Sequence, residues 1–148
     1  MAEIGFYHLT RTDFYAALPA LLGRTLGLGE RALVVCADEG QAQKLDAVLW
    51  QSHNPDWLPH GTAQTPHAEW QPIFLTLDGA ANPAGAGFLF RLGGAAAEAE
   101  DFKRVFDLFD GNDEEQVLAA RARWREAKAA GHGLTYWKQE ETGWVKAG

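Results

Sequence analysis

The chain has 148 residues, 47% of them hydrophobic and 22% charged, a balance typical of one globular domain with a core of its own. Its formal net charge of −7 argues against a protein that grips nucleic-acid phosphates directly. The sequence has no run of about 18 apolar residues, no signal-peptide pattern at its start, and one cysteine, Cys36. These features predict a cytoplasmic domain with no transmembrane helix and no disulfide.

The first 50 residues alternate between strand and helix patterns. Apolar runs predict strands over residues 4–9 and 31–37, and apolar residues at helical spacing predict helices over 14–26 and from 38 to about 50. Asp13 and Asp38 are the predicted N-caps of the two helices. Pro19 predicts either a kink in the first helix or a later start.

The second half continues the alternation after a proline-bounded loop. Buried strands are predicted over 73–77 and 88–92, and a helix over 97–109. A turn at 110–113, capped by Asn112 or Asp113, leads into a long helix. The chain ends in a predicted hairpin, or a strand and tail, with a turn at 141–143. The pattern predicts one α/β domain, residues 1–148, with three layers, a Rossmann-like start and a mostly parallel central sheet.

The last long helix carries a basic and aromatic stripe. At about 100° per residue, five side chains fall within an arc of roughly 100°: Val117, Arg121, Trp124, Arg125 and Lys128. Three cations and an indole on one face suit a ligand that is both apolar and anionic. The alternative is a solvated helix face with Trp124 packed into the core.

A second concentration of aromatic residues follows the second helix. Trp50 ends that helix, and Trp57, Leu58, Pro59 and His60 lie in the loop beyond it. Such a loop exposes a large apolar area unless it packs back or meets a partner, and tryptophan beside proline is common in protein interfaces. The alternative is that both tryptophans close the bottom of the core.

The sequence predicts no catalytic site, cofactor or metal. The residues after the first strand, HLTRTD, form no glycine-rich phosphate loop, and Asp38 at the end of a strand is explained as a helix cap. His53, His60 and His67 lie in a loop without the geometry of a metal site. Cys36 is predicted to be a buried small hydrophobe.

The residues leave two other functions open. One is an enzyme that uses His60 or Asp38 in a cleft at the carboxyl ends of the strands. The other is a protein that binds single-stranded nucleic acid directly, by stacking bases on Trp124, Tyr136 and Trp137.

An ordered set of motifs resembles one family over residues 6 to about 138. The segments are FYHL, RALVVCADEGQAQKLDAVLW, DWLPHG, PIFLTL, the asparagine of GAAN, FDLFDGNDEEQVLAARARWREAKAAG and TYWKQ. Together they resemble the chi subunit of bacterial DNA polymerase III holoenzyme. Apart from that asparagine, Asn82, residues 78–87 do not correspond clearly to any part of the family that we can assign, and neither do residues 140–148.

The resemblance implies a non-catalytic accessory subunit of the clamp loader, with a Rossmann-like fold that binds no nucleotide. It implies a place in DNA replication and DNA repair in the bacterial cytoplasm, with DNA reached only indirectly. The acidic, phenylalanine-terminated tail of single-stranded-DNA-binding protein would bind residues on and before the last long helix: Phe109, Val117, Arg121, Trp124, Arg125 and Lys128. The psi subunit, or a helicase-type partner, would bind a second set: Trp50, Trp57, Leu58, Pro59 and His60.

The chain departs from the family at the implied tail site. The family more often has tyrosine where this chain has Trp124. One basic position of the family falls here on Gln116 or Val117, neither of them cationic. Lys128 or Arg123 is the candidate to compensate for the missing charge.

Overall fold

The computed structural model describes residues 2–51, 58–62, 71–77, 82, 84–93, 95, 102–140 and 143–147. Three helices and eight strands occur in this part of the chain. In order they are β1 Glu3–Leu9, α1 Phe14–Gly27, β2 Ala32–Val35, α2 Glu39–Trp50, β3 Gly61–Thr62, β4 Ile73–Thr76, β5 Phe88–Leu92, β6 Arg104–Asp110, α3 Glu114–Ala129, β7 Gly133–Glu140 and β8 Gly143–Lys146.

The strands form one sheet in the order β3-β4-β2-β5-β6-β1-β7-β8. Neighbouring strands pair in parallel except β7 and β8, which pair antiparallel, so the hairpin is the correct one of the two alternatives predicted for the end of the chain. The apolar faces of α1 and α2 pack on one side of the sheet, and α3 packs on the other. The predicted three-layer α/β architecture is therefore confirmed. Among the described residues, no helix is both long enough and apolar enough to cross a lipid bilayer.

Aspartate caps begin all three helices. The side chains of Asp13, Asp38 and Asp113 accept hydrogen bonds from backbone N–H groups in the first turns that follow, at 3.0, 2.8 and 3.0 Å. These bonds satisfy N–H groups that have no partner within the helix. The helix α1 begins at Phe14 and continues through Pro19, so the alternative of a later start is wrong.

The helix predicted over residues 97–109 is wrong where the structure describes it. Residues 104–110 form β6, a strand in the middle of the sheet between β5 and β1, and residues 96–101 lie outside the described part of the chain. Asp107 misled the prediction because a carboxylate interrupts the apolar run that a doubly covered strand shows. That carboxylate is fully buried, and the Arg123 guanidinium holds it with two hydrogen bonds of 2.7 and 2.8 Å.

Cys36 lies buried just beyond β2, as predicted for a small hydrophobe. Burial, with the nearby charges of Asp38 and Glu39, raises the pKa of its thiol to about 12. Since the thiolate is the reactive form, we expect no measurable modification of the native protein by an aromatic disulfide reagent at pH 8 within an hour. In 8 M urea the same thiol should react within seconds to minutes. Rapid modification without denaturant, followed by absorbance, would contradict the burial.

Candidate functional site

A cavity of about 270 Å³ opens between α3 and the strands beneath it. We call it the α3 pocket. Its lining comes from β6, α3 and β7: Phe109, Ala120, Arg121, Trp124, Arg125 and Tyr136. Four of the six residues predicted for the last long helix and its approach therefore meet at one cavity. Ala120 was not predicted, and Tyr136 was considered only as a base-stacking residue.

Aromatic rings form the walls of the α3 pocket. Phe109 is buried, and its ring lies 6.2 Å from that of Tyr136. The Trp124 ring makes edge contacts with Tyr136 at 5.9 Å and with Phe6 at 5.3 Å. Trp124 thus packs against the core, as one interpretation predicted, and lines the pocket at the same time.

His8 supports the pocket from below, and sequence reasoning missed it. Its Nδ1 lies 2.6 Å from the Tyr136 hydroxyl, and its ring lies 5.0 Å from Phe109. A Cβ atom at Gly111 would overlap the His8 ring, so the turn after β6 requires glycine to let the ring lie there. No local sequence pattern indicates this contact, because it is the parallel pairing of β1 with β6 and β7 that brings these residues together.

Two cations stand at the exposed edge of the α3 pocket. Arg121 and Arg125 are exposed and line the cavity. Burial raises the pKa of Tyr136, and the Arg121 charge acts in the opposite direction, which places that guanidinium near the pocket. Val117, in the first half of α3, is half-buried and packs against the core on this side of the sheet. Lys128 is exposed, and neither residue lines the cavity.

The structure does not support Arg123 as a compensating cation. Its guanidinium is committed to the buried carboxylate of Asp107. Gln116 is committed as well, since its Oε1 accepts a hydrogen bond of 2.9 Å from the backbone N–H of Asp110. The cationic character of the α3 pocket therefore rests on Arg121 and Arg125 among the described residues.

We expect acid to weaken the fold through His8. Burial is the largest cause of the lowered pKa of His8, so the unfolded chain takes up this proton more readily than the folded one. The stability that the neutral ring contributes is present above the ordinary histidine pKa of about 6.5 and is lost as the pH falls toward the lowered value. Urea unfolding at pH 7.5 and 5.5 should show a larger loss of stability for the wild type than for His8→Gln. Equal losses would show that His8 is not responsible.

The second predicted surface is partly described. Trp50 is 65% exposed, and its ring lies 4.8 Å from that of His60. His60 is buried, with one ring nitrogen 2.8 Å from Asp46 Oδ1 and the other 2.7 Å from the Leu58 carbonyl oxygen. We call the exposed Trp50 ring and the His60 beneath it the Trp50 surface.

The remaining predicted members of this surface differ in exposure. Leu58 is buried and Pro59 half-buried, while Trp57 lies outside the described residues. The exposure of Trp50 overturns the alternative in which this tryptophan closes the core. His60 contacts the Trp50 ring, and Trp50 is the exposed member of the predicted surface among the described residues.

A larger crevice of about 460 Å³ lies at the carboxyl end of β1, where related folds bind nucleotides. The Gln139 side chain bonds to the backbone of this crevice. Its Oε1 accepts hydrogen bonds from the N–H groups of Arg11 and Thr12, at 2.8 and 3.0 Å. Asn112 donates to the Thr10 carbonyl oxygen at 3.2 Å from the other side. The N–H groups of Arg11 and Thr12 are thus already bonded, which agrees with the missing glycine loop.

The three rings of the nucleic-acid alternative do not converge, and both side chains of the enzyme alternative have structural contacts. Trp124 and Tyr136 pack on the α3 side of the sheet, whereas Trp137 packs on the opposite side, so the three rings form no single stacking surface. Asp38 caps α2, and His60 is bonded to Asp46. In the described part of the chain, no group of three or more metal-ligating side chains is found. His53 and His67 lie outside that part.

Fold and surfaces together define a three-layer α/β domain with a cationic, aromatic pocket on one helix and an exposed tryptophan on another. Residues 1–135 match the family model described as "DNA polymerase III chi subunit, HolC". This match covers most of the chain, and the chain belongs to the DNA polymerase III chi subunit family.

Two relatives of known name are similar to it. The "DNA polymerase III subunit chi" of Escherichia coli (strain K12) is 29% identical over 107 residues, which cover 72% of each chain. The "Probable DNA polymerase III subunit chi" of Rickettsia prowazekii (strain Madrid E) is 27% identical over 89 residues. That match covers 60% of this chain and 53% of the Rickettsia protein, so it spans about half of that relative's length.

Proposed function

We propose that this chain is a non-catalytic adaptor of the DNA polymerase III clamp loader in the bacterial cytoplasm. Its α3 pocket captures the acidic, phenylalanine-terminated tail of single-stranded-DNA-binding protein. Its Trp50 surface docks the psi subunit or a helicase-type partner. DNA is reached only through these proteins, which fits a chain with a net charge of −7.

The observation that carries the tail proposal is the composition of the α3 pocket. Its cavity of about 270 Å³ suits one aromatic side chain rather than a larger small molecule. Phe109, Trp124 and Tyr136 offer the apolar walls that a phenylalanine ring needs. Arg121 and Arg125 offer the donors that a terminal carboxylate and nearby aspartates need.

The expected affinity is modest. A short peptide loses conformational freedom when it binds, and each exposed charge pair contributes only about 0–1 kcal/mol. We therefore expect a Kd in the micromolar range, about −8 kcal/mol, that weakens as salt screens the arginines. Such an affinity suits a contact that is made and broken during replication.

Arg121→Ala should weaken tail binding by about 10- to 100-fold, because a charge-assisted hydrogen bond to the terminal carboxylate is lost. The measurement is calorimetric titration of the full chain with the last nine residues of the host's single-stranded-DNA-binding protein. Amidation of the peptide's C-terminus should weaken its binding to the wild type by a similar factor. Binding to Arg121→Ala should be weakened little further by amidation, because the bond to the carboxylate is already lost.

Lys44→Ala is the matched control, since it removes an exposed cation from α2, away from the α3 pocket. It should bind the peptide within twofold of the wild type. Lys128→Ala should also change the affinity by no more than about threefold, because an exposed charge outside the pocket is screened. Wild-type protein that does not bind the peptide at low salt would refute tail capture.

A further inference from the structure

A second apolar and cationic cavity lies on the opposite side of the sheet. It has a volume of about 300 Å³ and opens between the end of α1 and the first residues of β5 and β6. We call it the α1 groove. The residues that matter for its chemistry are Tyr7, Arg24, Leu28, Phe88, Arg104 and Phe106.

Packed aromatic side chains form the floor of the α1 groove. The rings of Tyr7 and Phe106 stack at 5.6 Å, and those of Phe88 and Phe106 lie 5.9 Å apart. All three residues are only 5–6% exposed, so the floor is fixed by its own packing. Leu28, at the end of α1, is 64% exposed and adds an apolar side chain to the lining.

Two arginines make the α1 groove cationic. The Arg104 guanidinium lies over the rings of Phe106 and Phe88, 4.9 and 5.6 Å from their centroids. Burial raises the pKa of Tyr7, while the charges of Arg104 and Arg24 act in the opposite direction, so both cations lie near this floor residue. No acidic side chain is among the described residues that line the groove.

The α1 groove thus repeats the chemistry of the α3 pocket: a cavity of similar volume, aromatic walls and two arginines in an acidic protein. We propose that the α1 groove is a second binding site for an acidic peptide that ends in an aromatic residue. This inference rests on the proposed function, because it assigns the same class of ligand to a second surface. A chain with both sites can hold two such tails, one on each side of its sheet.

The details of the α1 groove favour a peptide over single-stranded nucleic acid. Stacking of successive bases requires ring faces that are open to solvent, and the three floor rings are almost fully covered. One apolar side chain with carboxylates beside it can instead fill the cavity and meet Arg24 and Arg104 at once.

The test follows two indole N–H signals by NMR in the 148-residue chain. Trp124 lines the α3 pocket, and Trp144 touches the groove residue Tyr7 with ring centroids 5.2 Å apart. The probe is a nine-residue peptide of glycine and aspartate that ends in phenylalanine with a free carboxylate. Both signals should shift, each with its own saturation curve.

Charge variants separate the two sites. The double variant Arg24→Gln/Arg104→Gln should weaken the Trp144 response at least tenfold and leave the Trp124 response within twofold. Arg121→Ala should do the reverse. Arg104→Lys keeps the charge and should retain groove binding within threefold, and Leu28→Asp, a change at an exposed residue, should weaken it at least tenfold.

Each outcome decides between the two sites. If the Trp144 signal does not shift at ten times the peptide concentration that saturates the Trp124 signal, the proposed binding site in the α1 groove is refuted. The proposed site at the α3 pocket would remain. A Trp144 response that survives Arg24→Gln/Arg104→Gln would also overturn the site in the α1 groove. A response of Trp144 without one of Trp124 would support the groove and refute tail capture at the α3 pocket.

Discussion

Asp107→Asn should destabilise the folded chain by about 3–5 kcal/mol, the usual cost of removing one partner from a buried ion pair. The carboxylate is fully buried and accepts two hydrogen bonds from Arg123, and the Arg91 guanidinium lies 3.0 Å from it. An amide in its place leaves two guanidinium groups facing a neutral side chain. Thermal or urea unfolding measures the loss, which corresponds to a Tm about 10 °C lower.

Glu126→Gln is the matched control for Asp107→Asn. It makes the same change from carboxylate to amide at an exposed position on α3 and should alter stability by less than about 0.5 kcal/mol. Arg123→Lys should lose part of the stability, because a lysine cannot make the two parallel hydrogen bonds. If Asp107→Asn were as mild as Glu126→Gln, the buried ion pair would contribute little to the fold.

This ion pair links the core to the candidate site. Arg121 and Arg123 are two residues apart on α3: Arg123 bonds to Asp107 on β6, and Arg121 lines the α3 pocket. Loss of Asp107 should therefore also loosen the position of the pocket's arginines. Helical spacing places Arg121 on the stripe and leaves Arg123 about 200° away from it, but only the structure shows that Arg123 is bonded to a buried carboxylate.

Local signals in the sequence predicted most of the architecture. Asp13 and Asp38 marked the starts of α1 and α2, and continuous apolar runs marked β2 and β4. The strand β6 escaped prediction because Asp107 has partners distant in sequence, one of them 16 residues further along the chain on α3. A polar residue in a strand that is buried on both faces is understood only when its partners are known.

Part of the candidate site was likewise predictable from local sequence, and part was not. Helical periodicity grouped Arg121, Trp124 and Arg125, which the structure brings together at one pocket. His8 and Tyr136 come from β1 and β7, strands that are adjacent in the sheet although more than a hundred residues separate them in sequence. Their contact depends on the crossover that carries β7 back beside β1, and no local pattern reports it.

Trp50→Ala should abolish binding of the psi subunit, or weaken it at least about 30-fold, without changing the stability of the isolated chain. Removal of an interface tryptophan commonly costs 2 kcal/mol or more, because a large ring that was covered in the complex is lost. The isolated chain should tolerate the change, since the side chain is 65% exposed and rests on His60. Two experiments measure the effect: copurification with the host's psi subunit, and a binding isotherm with the purified psi subunit.

Two variants separate the interface role of Trp50 from effects on folding. Leu118→Ala removes another large apolar side chain, 56% exposed on α3, and should leave both stability and psi binding within experimental error of the wild type. Leu58→Ala should instead cost about 2–5 kcal/mol of stability, because this side chain is buried in the core on the α1 and α2 side of the sheet. Full binding of the psi subunit by Trp50→Ala would refute docking at this surface, while tail capture at the α3 pocket would stand, because the two surfaces lie on opposite sides of the sheet.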